Sequence, residues 1–279
     1  MNGEKMVKLI AIDMDGTLLN DRKQVAAEQK KALEEAIKSG IHVVLCTGRP
    51  LFGTLPIYEN LNLGKENEYI IVNNGCSTHK TEDYSLIDYR ELSSEEIKEL
   101  YFLSREYKLD FTLFNEDKYF FIGEEGEEPN EFTIYDSNFV YTPIIKISLD
   151  EALSGKYNIF KSMFLESPEI LDEFEKQLPE KIRKKYTFPR SQEYILEAMP
   201  LEADKGKAVK RLAERLGIKR EEVMALGDGN NDVEMLEYAG ISVAMKNGTE
   251  LAKKAAKYTT DTNENNGVSK AIYKYAIKK

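Results

Sequence analysis

The chain has 279 residues, of which 42% are hydrophobic and 32% charged, with a formal charge of −10. Such a chain builds one large or two ordinary globular domains and is not disordered. The acidic balance argues against a nucleic-acid or anionic-membrane partner, and no apolar stretch is long enough to span a bilayer.

Met1 to Met6 forms no signal-peptide core, so a cytoplasmic location is expected. Cys46 and Cys76 lack Cys-x-x-Cys partners and read as buried free thiols. His42 and His79 have no metal-ligand spacing, which disfavours zinc or histidine-based catalysis and leaves acidic residues as the candidates.

Val7–Ile12 is an apolar run that predicts a buried strand. Ala26–Ser39 has helical spacing, closed by Gly40 at a C′ position. Ile41–Cys46 and Tyr69–Val72 predict a second and a third strand. The alternation of strand and helix argues for an α/β fold with a parallel sheet covered on both faces.

From about Tyr89 to Tyr194 the texture changes to longer helices, Ser93–Tyr107 and Pro168–Leu178, and aromatic hairpin strands. Leu109–Asn115 and Lys118–Ile122 are expected to turn at Glu116-Asp117, and the acidic run Gly123–Pro129 reads as a solvated loop. This middle stretch predicts an inserted α+β module. Beyond it, helix Lys205–Leu216 ends at Gly217. Strand Val223–Leu226, helix Asn231–Tyr238, strand Ile241–Met245, helix Glu250–Lys257 and a last helix from Val268 complete a doubly wound fold.

Four polar clusters each follow a predicted core strand: Asp13 and Asp15, Thr47-Gly48-Arg49, Asn73-Asn74-Gly75, and Gly227 to Asp232. Ligands of open parallel sheets bind at the carboxyl ends of strands, so these clusters are expected to converge. Two carboxylates one residue apart repel by about 1 kcal/mol at 4 Å in water and about 4 at an effective dielectric of 20, which a divalent cation with oxygen ligands would offset. Each cluster also has a plainer reading. Asp13–Thr17 could be a polar turn, Thr47 a helix N-cap, Asn73–Gly75 a type I′ hairpin turn and Gly227–Asp232 an ordinary turn. The Asp13 segment is not an EF-hand, and neither a Walker loop nor a Gly-x-Ser-x-Gly elbow is present.

Asp13-x-Asp15-Gly-Thr-Leu, Thr47-Gly48-Arg49, Lys205 and Gly227-Asp228-Gly-x-Asn231-Asp232 resemble, in order, the four signature motifs of haloacid-dehalogenase-superfamily phosphatases. The chain is similar, more narrowly, to the Cof-like branch of subclass IIB, which carries a large α/β cap. The resemblance implies a Rossmann-like core of 1–87 and 195–279 and an inserted cap of 88–194, with boundaries good to six residues. It implies Mg²⁺-dependent hydrolysis of small phosphate monoesters, such as sugar phosphates, through an aspartyl-phosphate. Asp13 would be the nucleophile and Asp15 the acid and base. Asp13, the Asp15 carbonyl and Asp228 would hold Mg²⁺, while Thr47, Gly48, Lys205 and Asn231 would bind phosphate. Asp232, Arg49 and Asn74 would support them from behind.

The expected partner is a small phosphorylated metabolite, and the protein itself a monomer or small homo-oligomer. In the cap, Tyr119, Phe120, Phe121, Phe188 and Tyr194 read as core, and Arg190, Ser191 and Gln192 as candidates to face substrate. Two alternatives stay open. A phosphohexomutase would need a second phosphate site built from the cap arginines Arg90, Arg105, Arg183 and Arg190. A catalytically weak sensor of phosphorylated metabolites would bind without turnover.

Overall fold

The computed structural model describes residues 6–64, 68–140 and 142–277, together with the backbone but not the side chain of Ser191. The first residues of the chain, 1–5, on which the expectation about a signal peptide rests, lie outside them. In chain order the strands are β1 Leu9–Ile12, β2 His42–Cys46, β3 Tyr69–Val72, β4 Ser77–Lys80, β5 Leu86–Tyr89, β6 Asp110–Phe114, β7 Tyr119–Ile122, β8 Ile144–Ile147, β9 Lys161–Leu165, β10 Tyr186–Thr187, β11 Arg190–Gln192, β12 Ile195–Pro200, β13 Val223–Gly227, β14 Ile241–Ala244 and β15 Tyr258–Thr259.

Two units divide the chain: Met1–Tyr89 with Asp204–Lys279, and Arg90–Ala203. The first unit carries one sheet in the order β15-β14-β13-β1-β2-β3-β4-β5. β15 to β3 run parallel, and β4 and β5 extend the sheet antiparallel. Chain order reverses at β1, with β2 and β3 on one side and β13 to β15 on the other, so the crevice of a doubly wound sheet opens beside β1.

Both faces of its central parallel strands are buried, which explains why β1, β2, β3, β13 and β14 read as near-continuous apolar runs. Ile10, Ile12, Val43, Leu45, Met224 and Leu226 pack on one face with Ala32, Leu33 and Ala36 of helix Ala27–Lys38 and Val268, Ala271 and Ile272 of helix Gly267–Tyr275. Leu9, Ala11, Val44, Cys46, Val223 and Ala225 face the other way, onto Ala208, Val209, Leu212 and Ala213 of helix Lys205–Arg215. Each fully buried Leu, Ile or Val contributes roughly 1.5–3 kcal/mol. The helices stop where the sequence places glycines, with Gly40 at φ +78° and Gly217 at φ +69°. Cys46 and Cys76 are buried, and neither is in a disulfide.

The second unit has a sheet in the order β10-β12-β9-β6-β7-β8, with β11 paired to β12. Phe111, Leu113, Phe120, Phe164 and Leu196 pack on one face with Leu100, Leu171 and Phe174 from helices Ser94–Glu106 and Pro168–Gln177. The β6–β7 connection turns at Asn115, whose Oδ1 accepts from the N–H of Asp117 and Lys118 at 3.0 and 2.7 Å. Tyr119, Phe120 and Phe121 are buried, whereas Phe188 and Tyr194 are half-buried.

The expected return to the core at residue 195 is corrected. β12 pairs along Ile195–Ala198 with β9 of the inserted sheet, so the second unit runs on to Ala203. A helix at Leu51–Leu61 was not predicted, because Gly53 and Pro56 interrupt it. Helix Asn231–Tyr238 begins later than expected, at Val233, behind a single 3₁₀ turn at Asn230–Asp232. Among the described residues no helix is long and apolar enough to cross a membrane.

Candidate active site

Asp13 leaves the end of β1, where its N–H donates to the Leu226 carbonyl at 3.0 Å and keeps it beside the end of β13. Facing it is Lys205, fully buried in the first turn of its helix, whose N-terminus Asp204 caps by accepting from the Lys207 N–H at 2.7 Å. The Lys205 ammonium donates to Asp13 Oδ1 and to Asp232 Oδ1, both at 2.6 Å. Burial opposes the Lys205 charge, but the two carboxylates outweigh it and raise its pKa. Burial, then the neighbouring charge of Asp232, push the Asp13 carboxyl well above its ordinary range against the pull of Lys205. Asp228 is raised too, chiefly by burial, although the Thr17 hydroxyl donates to its Oδ1 at 2.7 Å.

Ligand atoms of Asp13, Asp228 and Asp232 lie within 4.8 Å of one another. Three carboxylates facing one ammonium leave two negative charges unbalanced, the charge of one divalent cation. An all-oxygen donor set suits magnesium, manganese or calcium, and such an ion would reverse the raised Asp13 and Asp228 pKa values. The residues therefore fit a hard divalent metal. Asp232 spends both oxygens elsewhere, Oδ1 on Lys205 and Oδ2 on the N–H groups of Asp228 and Gly229 at 2.9 Å each. Asp13 and Asp228 are the carboxylates left to hold it. Gly16 (φ +82°) allows this crowding, since a Cβ there would sit 2.3 Å from Asp228 Oδ2.

Asp15 stands apart from that cluster. Arg49 grips it through two bonds, Nε to Oδ2 at 2.6 Å and Nη2 to Oδ1 at 2.7 Å, and Lys23 adds a third at 2.8 Å. Partial burial works against its charge, but the Arg49 and Lys23 hydrogen bonds win and hold Asp15 below the ordinary 3.8.

Thr47 follows β2 and is buried. It caps no helix: Pro50 begins Leu51–Leu61, and the Thr47 hydroxyl accepts from the Arg49 N–H at 3.1 Å. Asn73–Gly75 joins the antiparallel pair β3 and β4 through a four-residue connection, 73–76, rather than a two-residue turn. The same loop brings Asn74 Oδ1 to Asn231 Nδ2 at 2.9 Å.

The structure thus draws the predicted residues into three adjoining groups: Asp13, Lys205, Asp228 and Asp232; Asp15 and Arg49; and Gly48, Asn74 and Asn231. Thr47 joins the last two, its hydroxyl accepting from the Arg49 N–H and its carbonyl from the Asn74 N–H. Sequence reasoning missed three participants. Thr17 sits inside the first motif and was legible there. Lys23 returns through a tight turn in which its N–H donates to the Asn20 carbonyl at 2.9 Å; Asn20-Asp21 marks the turn, but nothing in the sequence says that it carries Lys23 to Asp15. The loop after β14 is a fifth strand-end cluster: Asn247 Nδ2 donates to the Gly16 carbonyl at 2.7 Å, and the Thr249 N–H to the Asp228 carbonyl at 2.8 Å. In the second unit Arg190 is tied to Asp172 at 3.2 Å and Gln192 is exposed, while the side chain of Ser191 lies outside the described residues.

Residues 10–272 match the haloacid dehalogenase-like hydrolases. The chain belongs to that family. Its relatives include YxeH of Bacillus subtilis strain 168, 38% identical over 274 residues that cover 98% of this chain and 100% of that one. The 5-amino-6-(5-phospho-D-ribitylamino)uracil phosphatase YcsE of the same organism is 31% identical over 271 residues, 97% of this chain and 96% of that one. Among solved structures, a haloacid dehalogenase-like hydrolase from Bacteroides thetaiotaomicron superposes with a TM-score of 0.81 at 30% identity, covering 95% of this chain and 98% of that one. The hydrolase fold is shared along almost the whole chain.

Proposed function

We propose that this hydrolase releases phosphate from small phosphate monoesters through a covalent phosphate on Asp13. The observation that carries the reading is the buried Lys205 ammonium set between Asp13 and Asp232 inside a three-carboxylate cluster. A lysine there has no apolar role, and it leaves a positive charge beside the attacking oxygen.

In the first step a carboxylate oxygen of Asp13 attacks phosphorus and the ester P–O bond breaks. Asp15 gives the departing alkoxide a proton, which requires its grip by Arg49 and Lys23 to loosen. In the second step Asp15 takes a proton from water as that water attacks phosphorus, the bond to Asp13 breaks, and phosphate leaves. Thr47, the Gly48 backbone, Lys205 and Asn231 hold the remaining phosphate oxygens by hydroxyl, N–H, ammonium and amide donors. Asp232 fixes Lys205, and Arg49 fixes Asp15. Asp13, Asp228 and the Asp15 carbonyl would hold magnesium, which when bound would supply neutralising charge for an anionic nucleophile meeting a phosphate dianion.

The proposed substrates are sugar phosphates and related phosphorylated polyols. Relatives support that class, YcsE being named for an ester on a ribityl chain. A mutase gains no support from Arg105, Arg183 and Arg190 of the inserted unit. Arg105 is bound by Glu127 at 2.6 Å, Arg190 by Asp172, and Arg183 donates to the Leu178 carbonyl at 3.2 Å. The test is a panel of phosphorylated metabolites assayed for phosphate release, with and without magnesium. Release that needs the metal and vanishes in Asp13→Asn is expected. Metal-independent release, or an active Asp13→Asn, rejects the reading.

A further inference from the structure

Residues Asn73, Asn74 and Gly75 all adopt left-handed backbone, at φ 50°, 54° and 91°. Only glycine takes that region freely, and asparagine is the side chain that tolerates it best, so three in succession mark a loop held by its surroundings. Those surroundings are the other strand-end loops. The N–H of Asn73 donates to the Arg49 carbonyl at 2.9 Å, and that of Asn74 to the Thr47 carbonyl at 3.0 Å. A Cβ on Gly75 would sit 2.3 Å from the Asp204 carbonyl oxygen, at the start of the helix that carries Lys205. Asn73 is fully buried, and its Oδ1 has no hydrogen-bond partner among the described residues.

The Asn74 side chain has the most specific placement. Its Oδ1 accepts from Asn231 Nδ2 at 2.9 Å, and it fills the space that Gly48 leaves by having no Cβ. An atom there would lie 2.9 Å from Asn74 Oδ1 and 3.1 Å from Nδ2. An amide has two N–H donors in one plane. With one committed to Asn74, the direction of the other is fixed.

We infer that Asn74 is a positioning residue: its left-handed backbone and the missing Cβ at Gly48 let its carbonyl oxygen aim the second N–H of Asn231 at a bound phosphate. The inference rests on the reading of Asn231 as a phosphate donor and adds the residue that orients it. Free Asn231 would have to be ordered when substrate arrives. Held by Asn74, it is ordered beforehand.

The test is a double-mutant cycle with p-nitrophenyl phosphate as substrate and orthophosphate as competitive inhibitor, both in magnesium. Asn74→Gly removes the side chain yet keeps the left-handed backbone accessible. It should raise KM and the orthophosphate inhibition constant by about tenfold, the worth of one oriented hydrogen bond, with kcat and melting temperature changed far less. The Asn74→Gly, Asn231→Ala double variant should be no worse than Asn231→Ala alone. Gly48→Ala should show the same KM defect in the wild-type background and add nothing to Asn74→Gly, where the space is already vacant. Wild-type constants in Asn74→Gly, or losses that multiply in the double variant, overturn the inference. A protein that hydrolyses no ester but binds orthophosphate more tightly than Asn74→Gly overturns the hydrolase reading and leaves the positioning role standing.

Discussion

At the scale of single residues, the site is a set of buried charges that are stable only together. Lys205 is the hinge of that balance because it touches Asp13 and Asp232 at once. Lys205→Met removes the cation that Asp13 and Asp232 share and leaves these two buried carboxylates uncompensated. It should cost about 3–5 kcal/mol of folding stability, measured by urea denaturation in metal-free buffer, with part regained when magnesium is added. A loss below 1 kcal/mol would mean that the acids are solvated and do not depend on Lys205. Asp13, Thr47 and Asp228 were legible because each follows an apolar strand run, whereas Lys205, in the first turn of a helix, was legible only through the family resemblance. Lys23 and Asn247 were not, since their positions depend on loop paths and on which strands lie side by side.

Elements obey local rules more faithfully than loops do. Helix Lys205–Arg215 stops at Gly217, whose φ is +69° and around which a Cβ would meet nothing within 4 Å. Gly217→Ala therefore isolates the cost of the left-handed backbone and should lower stability by about 1 kcal/mol, with Gly217→Asn recovering some of it. A melting temperature equal to wild type in the alanine variant would refute the cap.

The inserted unit carries a titrating group of its own. Asp136, on helix Glu131–Phe139, is 4% exposed, and burial raises its carboxyl from 3.8 to about 6 despite the charge of Lys161. Between those values the folded protein keeps a proton that the unfolded chain has lost, so stability falls as pH rises through the window and is level above it. The fall should be on the order of 3 kcal/mol, and Asp136→Asn should flatten it in denaturation curves taken from pH 4 to pH 7. An unchanged slope in the variant would show that Asp136 is ionised throughout. Nothing in the sequence announced this residue, because its neighbours Lys161, Tyr119 and Glu197 come from strands distant in the chain. β12 shows the same limit. Its apolar run reads equally well as core or insert, and only pairing with β9 decides.

For the whole molecule, two units with separate apolar cores account for the change of texture at either end of the insert, and the reversal of strand order at β1 explains why distant motifs meet. That convergence was legible, since every polar cluster followed a strand and a parallel sheet puts strand ends on one edge. The proposal that depends on it is covalent phosphorylation of Asp13. Rapid acid quench of Asp15→Asn with p-nitrophenyl phosphate tests this most directly. Nitrophenolate leaves without a proton, so the first step should proceed while water attack, lacking its base, is slow. A burst of nitrophenolate and a phosphoryl group on the peptide carrying Asp13 are predicted. Steady release without a burst, or a phosphoryl group on Asp228 instead, would contradict it.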